Sequence, residues 1–140
     1  MGLEEGAMFL GVCQDQVDAA GTFPEVYQEY KEWMKSVVGA RSMVFITCGD
    51  WDLLTMLPRQ LHLSGLTASR AFKRWINIKK VYTRFYNRKA MGMAGMLRDL
   101  GMELQGRHHS GIDDCRNIAR LVIRMRREGC HFNDITRKIV

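Results

Sequence analysis

Ser42-Met43-Val44-Phe45-Ile46-Thr47-Cys48-Gly49-Asp50-Trp51-Asp52-Leu53 is the stretch on which the fold turns. Ser42 to Thr47, rich in Val, Phe and Ile and bounded by Arg41 and by Cys48-Gly49-Asp50, predicts a short buried strand, central in a sheet. Leu53, Leu54, Met56 and Leu57 then begin an apolar helix that Pro58 kinks or ends early. A polar group at the C-terminal end of a strand is where α/β proteins place their ligands. Asp50 reads as an ordinary helix cap. Asp52 falls in the first helical turn, with its carboxylate pointing at the same strand end.

Upstream, Thr22 caps a helix that runs to about Val38, with Pro24 in its first turn and an apolar stripe of Val26, Tyr27, Tyr30, Trp33, Met34 and Val37. Gly39 ends it. Downstream, Trp75 to Lys79 predicts a second short strand, followed by helices at about Lys80 to Asn87 and Met91 to Leu100, the latter stopped by Gly101. The methionines from Met91 to Met96 read as core filler rather than copper ligands, since no histidines accompany them. The polar tail from His131 is expected to fray. No internal repeat, Gly/Ser linker or low-complexity segment interrupts the chain.

A second polar junction lies at Gly106-Arg107-His108-His109-Ser110-Gly111-Ile112-Asp113-Asp114. From Ile112 the apolar residues Cys115, Ile118, Ala119, Leu121, Val122 and Met125 recur at helical spacing, and Gly129 marks the end. Asp113 and Asp114 therefore sit in a first helical turn, where the helix dipole favours carboxylates whatever else they do. His109 precedes Asp114 by five residues across a glycine, so a loop imidazole and a helix-start carboxylate can face one small site. A neutral imidazole can take a proton from water, and a carboxylate can hold a hard divalent cation.

With 140 residues, 46% of them apolar, the chain is read as one domain over 1–140. The acidic opening Met1-Gly2-Leu3-Glu4-Glu5-Gly6 has no basic flank, and too few apolar residues follow it for a signal peptide or membrane span. Cys13, Cys48, Cys115 and Cys130 are scattered, form no CxxC pair and lack zinc-site spacing even beside His131 or His108-His109. They read as reduced thiols packed as small hydrophobes. The expectation is a soluble intracellular protein of the cytoplasm or nucleus, without membrane attachment.

The net charge of +6 matters less than its placement. Between Leu53 and Arg98 there is no acid, while Arg59, Arg70, Lys73, Arg74, Lys79, Lys80, Arg84, Arg88, Lys89 and Arg98 are all cationic. Helix-surface ion pairing needs alternating signs, so an uncompensated block points to a polyanion. Phe72, Trp75, Tyr82, Phe85 and Tyr86 are interleaved with it, the equipment that binds single-stranded nucleic acid by gripping phosphates and stacking bases. Trp75, beside Ile76 and Ile78, reads as a core anchor instead.

Three blocks now assemble: strand-Cys48-Gly49-Asp50-Trp51-Asp52-Leu53; Trp75-Ile76-Asn77-Ile78-Lys79-Lys80; and Leu100-Gly101-Met102-Glu103-Leu104-Gln105-Gly106-Arg107-His108-His109-Ser110-Gly111-Ile112-Asp113-Asp114. In order and spacing they resemble the DEDDh 3′-to-5′ exoribonucleases, closest to the histone-mRNA 3′ exonuclease, enhanced-RNA-interference and prion-protein-interacting exonuclease branch. The upstream Gln16-Val17-Asp18-Ala19-Ala20 and Phe23-Pro24-Glu25-Val26 are similar to that branch too, so the resemblance runs from about Phe9 to His131.

It implies an α/β fold of ribonuclease H-like exonuclease type, a mixed sheet flanked by helices. It implies RNA 3′ ends, single-stranded or structured, as the partner and two Mg²⁺ ions as cofactor, with Mn²⁺ as a substitute. By position, Asp52 resembles the second-motif metal-supporting aspartate, Asp114 the third-motif metal ligand and His109 the general base. Asn117 falls one helical turn on, where it can orient a ligand; His108 and Asp113 are neighbours of the site. The candidate RNA-contacting set is Trp51, Lys73, Arg74, Lys79, Lys80, Arg84 and Arg107. The family's first motif, Asp-x-Glu on an opening strand, belongs upstream of Leu10, and Glu4 and Glu5 in their glycine-flanked segment do not reproduce it. The partial fold therefore lacks its first strands, and Ser42 to Thr47 is expected to present a sheet edge. The implied activity is two-metal hydrolysis that releases nucleoside 5′-monophosphates. The alternative is a catalytically inactive member of the family that binds RNA or a protein partner.

Overall fold

A computed structural model describes residues Val12–Arg137, so Glu4, Glu5, Phe9 and Leu10 lie outside the described residues. The chain divides into two compact units, one reaching to Met43 and the other beginning at Val44.

The first unit holds α1 (Gln14–Asp18) and α2 (Phe23–Val38). The α2 start is set by a reciprocal cap: the Thr22 backbone N–H and hydroxyl both donate to Glu25 Oε2 at 2.7 Å. Gly39, with φ of +59°, ends the helix. Along α2, Phe23 stacks on Tyr27, and the Lys31 ammonium lies over the Tyr27 ring. Val26, Trp33 and Val37 are exposed, so the apolar stripe is narrower than their spacing suggests.

The second unit is built on a three-stranded sheet in the order β1 (Phe45–Thr47), β2 (Arg74–Asn77), β3 (Ile135–Arg137). β1 runs parallel to β2, with Thr47 beside Asn77, and β3 is antiparallel to β2. The mixed α/β class holds, and three expectations are corrected. β1 is half-buried and lies at one edge among the described residues, as the resemblance implied; the strand in the middle is β2, exposed at Arg74 and buried from Trp75 to Asn77. β2 ends two residues before Lys79. The tail after His131 contributes β3, because the second edge of a buried strand needs backbone partners and Ile135-Thr136 are β-branched residues suited to supply them.

Asp52–Met56 wind as a wide π-type turn, entered from Trp51, and continue into α3 (Leu57–Leu63). Pro58 therefore does not end the helix: it occupies the first turn of the regular α segment, where its missing N–H is tolerated. Beyond β2 come α4 (Ile78–Tyr86), α5 (Gly92–Asp99) and α6 (Gly111–Arg127). Ile76, Ile78, Val81, Tyr82, Met93, Met96, Leu97, Leu121, Met125 and Cys130 form one buried cluster, so the methionines do fill the core. Polar latches close its rim: Tyr82 donates to Asp99 at 3.2 Å and Tyr86 to Glu128 at 2.7 Å.

Helix α6 turns a different face inward than its apolar pattern indicates. Asn117, Leu121 and Met125 are buried, whereas Ile112 and Ile123 are exposed and Cys115 and Ala119 are not in the core. Cys115, Ala119, Ile118, Val122 and Ile123 instead line a shallow apolar groove of about 300 Å³ with Ile46 of β1. Cys13 is exposed as well, so only Cys130, and in part Cys48, packs as a small hydrophobe. No helix among the described residues is long and apolar enough to cross a membrane.

Candidate active site

Parallel pairing puts the C-terminal ends of β1 and β2 side by side, since Thr47 faces Asn77. The turn after β1 therefore meets the start of α4, which Asn77 caps by accepting from the Lys79 N–H at 3.0 Å. Asp50 spans the two. Its Oδ1 accepts from the Trp75 indole at 2.9 Å and its Oδ2 pairs with Lys80 at 2.8 Å. Burial pushes the Asp50 carboxyl up, but hydrogen bonds from Lys80, Trp75 and Asn77 outweigh it and hold the group below its ordinary value. Asp50 is thus not a side-chain helix cap; only its backbone carbonyl accepts, from the Leu54 N–H at 2.9 Å. Nothing in the sequence points to this role, because Trp75 lies 25 residues away.

Asp52, two residues on, is exposed, and its carboxylate has no hydrogen bond or ion pair among the described residues. The π-type turn frees it by carrying the helix ladder on backbone groups alone. Trp51 beside it is 63% exposed, a flat apolar ring offered to solvent.

The loop before α6 divides its two acids in the same way. Asp113 accepts from the Arg107 N–H at 3.1 Å and pairs with Arg116 at 3.3 Å. The Arg107 N–H does most to hold its carboxyl below the ordinary value; burial opposes this, and Ser110 and Arg116 add to it. Gly106 packs so tightly over this carboxylate that a Cβ there would sit 2.4 Å from Asp113 Cγ, and its φ is +74°. Asp114 makes one weak contact, accepting from the His109 N–H at 3.3 Å. His109 has φ of +68°, is exposed, and stacks on His108 with ring centroids 4.0 Å apart.

Fully buried Asn117 holds the loop root rather than orienting a ligand. It exchanges hydrogen bonds with the Gln105 backbone in both directions, at 3.1 and 2.8 Å, and donates to the Asp113 carbonyl at 2.8 Å. A lone amide facing inward on an apolar helix was the available signal. Arg120 braces it by donating to Asn117 Oδ1 and to the Glu103 carbonyl, both at 2.8 Å.

The half-buried Cys48 thiol, just past the end of β1, is pushed up first by burial; Lys79 pulls it down, and Asp52 and Asp114 both push it up. Among the described residues, no group of three His, Cys, Asp or Glu converges as a metal-holding cluster.

The cationic residues separate. Lys79, Lys80, Arg84 and Lys89 line one groove along α4. Lys73 and Arg74 stand at the opposite end of β2, where Arg74 pairs in register with Arg137, and Arg107 lies in the α6 loop. Of the interleaved rings, Trp75 and Tyr82 are buried, Phe72 stacks on Phe45 at 5.1 Å, and Phe85 packs edge-on to Tyr86 at 4.8 Å. The base-stacking expectation fails for Trp75 and Tyr82, which are buried, whereas Phe85 stays 38% exposed.

Residues 4–122 match the exonuclease family model. The chain is 43% identical over 134 residues to mouse 3′-5′ exoribonuclease 1, covering 93% of this chain and 39% of that protein. It is 41% identical over 128 residues to an uncharacterized exonuclease domain-containing protein of Arabidopsis thaliana, covering 86% of this chain and 38% of the relative. The chain thus spans about two fifths of the length of these curated relatives. Among solved structures, it superposes on the nuclease domain of 3′hExo, a DEDDh family member bound to rAMP, with a TM-score of 0.89 and 39% identity. That match covers 95% of this chain and 68% of the other. A 3′-exonuclease described in its recognition of the histone mRNA stem-loop matches with a TM-score of 0.87 and 33% identity, over 99% of this chain and 67% of the other. Fold and relatives agree: the chain belongs to the exonuclease family, in its DEDDh group.

Proposed function

We propose that the protein is a 3′-to-5′ exoribonuclease that hydrolyses RNA 3′ ends and releases nucleoside 5′-monophosphates. The observation that carries this reading is the freedom of Asp52 and Asp114. In each acidic pair one carboxylate is consumed by the fold, and the other is left without a strong partner. A carboxylate without a strong partner is dispensable to folding, and Asp52 and Asp114 are the positions at which the family resemblance calls for a ligand.

DEDDh exonucleases use divalent metal ions, and Mg²⁺ is the ion proposed here, with Mn²⁺ as a substitute. Asp52 and Asp114 fit a hard cation in kind, since carboxylate oxygens are what it takes. They fall short in number, because no third donor joins them among the described residues. His109, on an exposed and left-handed loop position, is proposed to accept the proton of the attacking water. Its amide on Asp114 links the base to that carboxylate. Trp51 offers a ring to the terminal base, and Lys79, Lys80, Arg84 and Arg107 offer charge to the backbone. An intracellular site of action, cytoplasmic or nuclear, accords with the RNA substrate.

The deciding assay follows 5′-labelled single-stranded RNA with the purified chain in Mg²⁺ and in EDTA. The expected outcome is stepwise 3′ shortening with monophosphate product, absent in EDTA and in His109→Ala. Shortening that persists in EDTA or in His109→Ala overturns the reading. The absence of a third donor among the described residues favours a second reading, an RNA-binding family member that does not cleave. Retention of RNA with no product after long incubation in Mg²⁺ selects it.

A further inference from the structure

Asn77, Lys79, Lys80, Thr83, Arg84 and Lys89 line an open groove of about 460 Å³ along the outer face of α4. The size is in the range of sites that hold small-molecule-sized groups, about 300–1,000 Å³. Four of these six residues are cations. One end of the groove lies at the paired strand ends: Asn77, beside Thr47 of β1, caps α4 by accepting from the Lys79 N–H at 3.0 Å. The other end is Lys89, past the left-handed stop of α4 at Asn87.

The cations differ in what holds them. Lys80 is paired with Asp50 at 2.8 Å, and Arg84 with Asp134; the Lys80 and Arg84 side chains remain 55% exposed. Lys79 and Lys89 have no carboxylate partner among the described residues. Both acids come from outside the acid-free block, Asp134 by way of β3. An exposed ion pair contributes little, of order 0–1 kcal/mol, so a phosphate can exchange for either carboxylate at small cost. The groove therefore contains two standing cations and two that a polyanion can recruit.

We propose that this groove is a backbone subsite for single-stranded RNA, carrying phosphates that lie 5′ of the terminal nucleotide from Lys79 at the site out to Lys89. It rests on the RNA 3′-end reading and deepens it: the site holds the terminus, and the groove holds the tract behind it. With no aromatic residue in its lining, the groove reads charge and spacing rather than base identity. Asp134 acts as the internal competitor, covering Arg84 until RNA displaces it.

The test is binding of 5′-fluorescein oligouridylates of 2, 4, 8 and 12 nucleotides to the full chain in EDTA, followed by anisotropy across a salt series. Arg84→Gln/Lys89→Gln is expected to weaken the 12-mer by at least tenfold and the dinucleotide, whose single phosphate reaches only Lys79, by less than twofold. Its dependence of log affinity on log salt should become shallower by roughly 1.4, at about 0.7 for each phosphate that is no longer neutralised. Asp134→Asn, which frees Arg84, is expected to tighten the 12-mer two- to fivefold. A 12-mer affinity unchanged in the double variant, or an equal loss at every length, overturns the groove, as does wild-type protein that binds no length. Trimming assayed on the same stock separates the two readings. Trimming with no length-dependent loss overturns the groove alone, and length-dependent loss without trimming supports the groove and overturns only catalysis.

Discussion

The two acidic junctions of this protein solve one problem in opposite chemical surroundings. After β1, Asp50 is held by a buried indole and a lysine from the neighbouring strand and helix, while Asp52 stands free. Before α6, Asp113 is held by a backbone amide of its own loop and by Arg116 three residues on, while Asp114 keeps one weak contact. The first anchor is long-range and ties two elements; the second is local and ties a loop to its helix. In both, neighbouring carboxylates share the labour, one fixing the turn while the other is left without an ion pair among the described residues. A carboxylate that must bind a ligand cannot also carry the fold, because satisfying it internally would remove the charge the ligand needs.

The contrast between holding and presenting acids breaks most visibly on activity. In RNA trimming with Mg²⁺, His109→Ala should lower the rate by about 10²–10⁴-fold, the span of general-base removal, and Asp52→Asn and Asp114→Asn should fall at least as far. None of the three should shift the urea midpoint appreciably. A trimming rate within tenfold of wild type for Asp114→Asn would show that the free member of the pair is not the working one.

Stability separates the other members. Asp50→Ala leaves the fully buried Trp75 indole N–H without an acceptor, a loss of about 1–3 kcal/mol by urea unfolding. Asp52→Ala should stay within about 0.5 kcal/mol. Equal losses in the two variants would erase the distinction between the two roles. Gly106→Ala forces a left-handed side chain against Asp113 and should cost about 1–2 kcal/mol. It should also release the Arg107 amide, visible as faster hydrogen exchange at that position.

The smallest effect is in acid. Asp50 is depressed below its ordinary 3.8 in the folded chain, so its contribution is complete above that value and is lost as pH falls through the lower folded value. The wild type should therefore lead Asp50→Asn in unfolding midpoint at pH 6 and converge on it towards pH 2. A gap that widens on acidification contradicts the assigned sign.

Residue patterns alone located both junctions, the caps at Thr22 and Gly39, and the methionine core, because each depends on a few neighbouring residues. They misjudged whatever depends on a distant partner. The acid-free block between Leu53 and Arg98 reads as uncompensated, yet Lys80 and Arg84 find Asp50 and Asp134 from outside it. The tail that composition marks as fraying forms β3, since β2 has a backbone edge to satisfy. Helix α6 has apolar residues on more than one face, and spacing cannot say which face meets a core.

Carboxylate and imidazole chemistry was thus determined by the sequence itself: Asp52, His109 and Asp114 are recognisable because side-chain type and local helix position belong to the chain. Only the tertiary structure decided that Asp50 and Asp113 are anchors, that Asn117 clamps the loop root, and that Lys79, Lys80, Arg84 and Lys89 form one groove while Lys73 and Arg74 stand apart. The physical reason is that hydrogen bonds and screened charges act over a few ångströms of space. Which side chains come that close is set by strand register and helix packing, not by their separation along the chain.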